Sequence, residues 1–106
     1  MTRAVRMLVL VSLVLLAPWR IAVAADGAEQ GKLLFFSQGC YGCHRIGVVG
    51  TPIANDLAHV GRKYTESQMA QWLRDPASQK PTAHMPRLAL SEDEIRALAA
   101  YLATLR

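Results

Sequence analysis

The 106-residue chain has two cysteines, Cys40 and Cys43, which are separated by two residues and followed at once by His44. This spacing limits what the chain can become more than any other feature. A disulfide closing so short a loop restricts the unfolded chain very little, so the pair is a poor structural staple. Its geometry suits redox or ligand chemistry better. The N-terminus sharpens the problem. Arg3 and Arg6 form a positive segment, Met7 to Ala17 is an eleven-residue largely apolar run, Pro18-Trp19-Arg20 interrupts it, and Ala22-Val23-Ala24 has the small-x-small pattern of a cleavage site. Residues 1–24 therefore read as a signal peptide and 25–106 as the mature domain, with the bond between Ala25 and Asp26 as an alternative cut. The run falls short of the about 20 residues that span a bilayer as a helix, which argues against an uncleaved anchor and predicts no membrane span after cleavage. Exported cysteines normally oxidise to disulfides, so an exported chain with only this pair must use it for something else.

Removing 24 residues from 106 leaves 82, enough for one domain but few enough that a bound group should help stabilise it. Charge shifts as well. Arg3, Arg6 and Arg20 leave with the signal, so 12 Lys and Arg fall to 9 against 8 Asp and Glu, and the net charge drops from +4 to +1. The basic pI reports mainly the leader, and nucleic acid is excluded as a partner class.

Apolar periodicity in the mature segment is helical, and the class is all-α. Asp26 and Glu29 read as a capping box opening a helix that runs to about Ser37, with Gly39 ending it. The stretch from Gly47 to Gly61 reads as a long loop folded over a ligand. Thr65 with Gln68 starts a short helix carrying Met69, Trp72 and Leu73, stopped at Asp75-Pro76. Pro76 to Leu90 is expected to be a non-helical loop holding His84-Met85 between Pro81 and Pro86. Ser91-Glu92-Asp93-Glu94 caps a last helix with Ile95, Leu98, Leu102 and Leu105 on one face.

Cys40-Tyr41-Gly42-Cys43-His44 is C-x-x-C-H, the spacing of c-type haem attachment: two thiols add across the vinyl groups of one haem, and the following histidine lies beneath the iron. A thioredoxin-like pair would need a βαβ context, and a zinc site would have to recruit His59 and His84 at no recognisable spacing. Haem c and its iron are the expected cofactor, held by Cys40 and Cys43, with His44 as one axial ligand. Met69, Met85, His59 and His84 compete for the second. Met69 shares a helical stripe with Trp72 and Leu73 and reads as core, whereas Met85 sits on a proline-bounded loop able to reach the iron.

Gly31-x-x-x-Phe35, the C-x-x-C-H motif, Met85-Pro86 and Ala100-Tyr101-Leu102 together resemble class I cytochrome c. Asp56 to Arg62, Trp72 to Pro76 and Lys80-Pro81 resemble more narrowly the cytochrome domain of haem–copper oxidase subunit II, and the expectation is a free-standing relative with no copper-binding domain before it. The resemblance implies a small cytochrome c fold. N- and C-terminal helices should cross, with Gly31 and Phe35 facing Leu98 and Tyr101, and short helices and loops should wrap the haem. It implies Met85 as the sixth ligand and a hydrogen bond from His44 to the Pro52 carbonyl. Arg62 and Trp72, with Tyr64 as a weaker third, should bind the propionates. The expected function is that of a bacterial periplasmic monohaem carrier of single electrons. It would be a monomer that exchanges electrons with redox proteins such as a membrane-bound terminal oxidase or a periplasmic dehydrogenase. The alternative is an electron-transfer subunit of a periplasmic oxidoreductase complex. His/Met ligation fills both axial positions and so implies that the chain is not itself an enzyme. Arg45, Lys80 and Arg87 are candidates for a basic docking rim.

Overall fold

The computed structural model describes the backbone of residues 19–106 and side chains from Gly27 onward; most of the expected signal peptide lies outside the described residues. Helix α1 runs Trp19–Ser37, and a 3₁₀ turn follows at Cys40–Gly42. Two short strands, β1 (Arg45–Ile46) and β2 (Val49–Gly50), come next, and then α2 (Val60–Lys63), α3 (Glu66–Arg74), α4 (Pro76–Gln79) and α5 (Glu92–Ala103). The all-α class holds, since the strands pair over only two residues each.

The helix starts follow local chemistry. Thr65 and Ser91 each accept the backbone N–H three residues on, and Gln68 and Glu94 reach back to the backbone N–H of the capping residue, completing the boxes expected of α3 and α5. Two expectations need correction. Helix α1 does not begin at Asp26 but at Trp19, because Ile21 to Ala25 contain no breaker and Asp26 falls inside the helix. Pro76 does not start a loop. It occupies the first turn of α4, where its missing N–H has no partner to lose and its fixed φ suits the helix, and its ring is buried.

Helix α1 packs on α5. A Cβ at Gly31 would run into the Ala97 carbonyl and come within 2.7 Å of Tyr101 Cβ, so the close approach depends on the missing side chain. One turn along, Phe35 is buried and lies edge-on to Tyr101 with ring centroids 6.0 Å apart. Leu34, Phe35, Leu57, Val60, Met69, Leu73, Ile95, Leu98, Ala99 and Leu102 form one core, and burying each of the larger side chains contributes about 1.5–3 kcal/mol. Helix α2, which begins at the last two residues of the stretch expected to be loop, closes the far end of α5: Gly61 N–H donates to the Leu105 carbonyl at 2.7 Å. Among the described residues no helix is long and apolar enough to cross a membrane.

Candidate haem-binding site

Helix α1 stops where Gly39 takes a left-handed backbone conformation (φ 75°), and the chain turns directly into the tight 3₁₀ turn. Cys43 N–H and His44 N–H both donate to the Cys40 carbonyl, at 3.2 and 3.0 Å. One turn thus presents both sulfurs and delivers His44 immediately after them. Both thiols are free. Cys40 is half-buried and packs against the core, and that burial pushes its thiol pKa up, partly offset by a backbone hydrogen bond; Cys43 is exposed.

The segment read as a loop over a ligand has an ordered course. Its first part is the β1–β2 hairpin, which turns through Gly47 (φ 62°). The returning chain is then laced onto the cysteine segment: Thr51 N–H donates to the Tyr41 carbonyl at 2.9 Å, Ala54 N–H to Cys43 at 2.7 Å and Leu57 N–H to Arg45 at 2.8 Å. Asn55 lies between the last two ties, opposite His44. Its carbonyl is 2.9 Å from His44 Nδ1. The carbonyl expected from the resemblance is that of Pro52; the lacing ties the preceding Thr51 to Tyr41 and brings the Asn55 carbonyl to the imidazole instead. Only a protonated Nδ1 can pair with a carbonyl, which leaves the Nε2 lone pair for a metal and makes it more basic.

Met85, too, is partly buried against the core. Trp72 Nε1–H donates to Met85 Sδ at 3.1 Å. Indole has a single donor, so the propionate contact expected of Trp72 would have to replace this bond. Arg62 is exposed at the end of α2 with its guanidinium free of the hydrogen bonds described here, and Tyr64 beside it is also exposed. Met69, 5% exposed, is a core side chain. His59 and His84 are exposed. Among the described residues no three His, Cys, Asp or Glu side chains gather as a metal site, so the zinc alternative is not assembled. Lys80 and Arg87 are exposed, whereas Arg45 is half-buried and spends its Nε–H on the Gly47 carbonyl at 2.8 Å.

Reading the sequence missed Asn55 and Asp56. Asp56 Oδ1 accepts from Ala58 N–H at 2.8 Å and from Gly47 N–H at 3.3 Å. Those two bonds, the Ala58 one foremost, hold its carboxyl below the usual carboxylate range. An aspartate two residues before its backbone donor is the signature of an Asx turn and was available as a signal.

The donors present fit a haem c: two free thiols on one turn, an imidazole with its outer nitrogen fixed, and a soft thioether on a separate loop. Residues 28–106 match the family model described as Cytochrome c. Curated proteins agree. The chain is 34% identical over 88 residues to "Cytochrome c oxidase subunit 2" of Alkalihalophilus pseudofirmus, covering 74% of this chain and 26% of that protein. It is 32% identical over 98 residues to the protein of the same name from Bacillus sp. (strain PS3), again covering 74% and 26%. The chain therefore spans about a quarter of the length of these relatives.

Proposed function

The chain belongs to the cytochrome c family, and from that premise we propose that it is a periplasmic monohaem carrier whose iron is held by His44 and Met85. Family membership brings a covalently bound haem c and electron transfer as the function. The iron, when bound, supplies the chemistry by alternating between ferric and ferrous states. In this reading Cys40 and Cys43 form the two thioethers, and His44 offers Nε2 because the Asn55 carbonyl engages Nδ1. Met85 offers its sulfur from the proline-bounded loop. A thioether favours the ferrous state and raises the potential relative to a second histidine. Arg62 neutralises a propionate. Residues 1–24 direct export and are removed.

The observation that carries this reading is the 2.9 Å pairing of His44 Nδ1 with Asn55, directly after two free cysteines on one turn. Absorption spectroscopy with potentiometric titration tests it. The expected result is a single one-electron transition and a ferric sulfur-to-iron charge-transfer band in the red, with no carbon monoxide binding to the reduced protein. Rapid carbon monoxide binding would mean an open axial position and oppose the carrier reading. The relatives favour one second reading, in which the chain is the electron-transfer subunit of a larger oxidoreductase. Native purification separates the two: the carrier elutes as a monomer, the subunit in a fixed stoichiometry with one enzyme.

A further inference from the structure

We propose that Asp56 is a positioning residue for the proximal histidine, holding the Asn55 carbonyl against His44 Nδ1 by clamping the peptide unit to which that carbonyl belongs. The inference rests on the reading of His44 as an iron ligand and adds a residue which that reading does not require.

The peptide bond is planar. The carbonyl of Asn55 and the amide nitrogen of Asp56 are two ends of one rigid plane, so fixing Asp56 fixes the direction in which the Asn55 oxygen points. Asp56 is held by its side chain from two sides. Oδ1 accepts from Ala58 N–H at 2.8 Å, which folds the chain back just beyond Asp56. It also accepts from Gly47 N–H at 3.3 Å, which ties it to the turn of the hairpin that begins one residue after His44. The backbone tie from Leu57 N–H to the Arg45 carbonyl at 2.8 Å reinforces the same alignment. The carboxylate therefore connects the segment that carries the histidine to the segment that orients it. Arg45 and His59 are the charged and titratable groups nearest Asp56 in its electrostatics, and both favour the ionised form.

The consequence falls on the histidine. A carbonyl held on Nδ1–H increases electron donation from Nε2 and favours the ferric state of a bound iron. Loosening that carbonyl should weaken the donation and raise the potential. Removing a nearby negative charge would also raise the potential, so the test must separate geometry from charge. Asp56→Asn removes the charge but keeps an oxygen that can accept from both amides. Asp56→Ala removes the charge and the acceptor.

The experiment compares the two variants as haem-loaded full proteins, by midpoint potential and by ¹⁵N NMR of His44 Nδ1–H in the ferrous state. If Asp56 positions the carbonyl, Asp56→Ala exchanges the Nδ1 proton about tenfold faster, as expected for one lost hydrogen bond, and raises the potential further than Asp56→Asn, which shows only the shift due to the lost charge and keeps the parent's proton exchange. Equal potential shifts in both variants with unchanged proton exchange would reduce Asp56 to a charge and overturn the proposal. Unchanged values in both would overturn it too. If His44 is not an iron ligand, its ring nitrogens in the parent protein itself give the ¹⁵N resonances of an unligated imidazole, and that outcome overturns the ligation reading before either variant is compared.

Discussion

The indole nitrogen of Trp72 donates to the sulfur of Met85 across 3.1 Å, tying helix α3 to the loop between α4 and α5. A thioether has lone pairs enough to accept this bond and still serve a metal, but the donor draws electron density from the sulfur. Trp72→Phe keeps the ring and deletes the donor, so the sulfur should favour ferric iron more strongly and the midpoint potential should fall. A potentiometric titration giving the parent value would show that the bond does not act on the metal.

The two methionines should differ in kind. Met85→Ala should remove the red charge-transfer band and open the sixth position to added imidazole or cyanide, with a modest loss of stability. Met69→Ala should keep the band and cost about 2–5 kcal/mol of unfolding free energy, because Met69 is a buried part of the core. Persistence of the band in Met85→Ala would exclude Met85 as the ligand.

The contact between α1 and α5 has no room for a side chain at position 31. Alanine is ordinarily better than glycine in a helix by about 1 kcal/mol. Here its Cβ would collide with the backbone of Ala97, and Gly31→Ala should instead destabilise by about 1–3 kcal/mol as the helices part. Denaturant unfolding checks this, and a stabilised variant would mean that the helices yield at little cost.

Much of this was legible in the sequence, and what was not has identifiable causes. Thr65 with Gln68 and Ser91 with Glu94 marked two helix starts because a capping box is a local device, complete within four residues. The C-x-x-C-H motif is equally local, and so is the Gly39 stop. The α1 start was misread because Asp26 and Glu29 look like a box wherever they stand, and only the continuous backbone places them mid-helix. The short helix after Pro76 was missed because proline was read as a breaker when it stood at the first helical position. The exchange of Pro52 for Asn55 was not readable locally, since it depends on cross-segment ties such as Ala54 to Cys43 and Leu57 to Arg45.

Acid should weaken the fold through groups identified here. Glu92 pairs in two-pronged fashion with Arg74 at 2.8 Å, and the hydrogen bond from that guanidinium lowers its pKa. Asp56 is lowered by its backbone donors. A carboxylate with a depressed folded pKa contributes stability above its unfolded value, about 4, and loses it as pH falls through the folded value. Glu92→Gln should therefore unfold at a lower temperature than the parent at pH 7, and the gap should close on descending below about pH 4. Because the pair is exposed, added salt should also narrow the gap. A pH-independent gap would assign the effect to packing instead of charge.

The proposed function depends first on a haem bound through Cys40 and Cys43. Protein from a host that matures c-type cytochromes, separated on a denaturing gel and stained for haem peroxidase activity, tests it most directly, with the intact mass measured alongside. The stain should stay with the polypeptide, and the mass should exceed that of the mature chain by one haem. Cys40→Ser and Cys43→Ser should each fail to yield normally matured protein. A parent chain that releases its haem on denaturation, or that migrates at the bare polypeptide mass, would contradict covalent attachment.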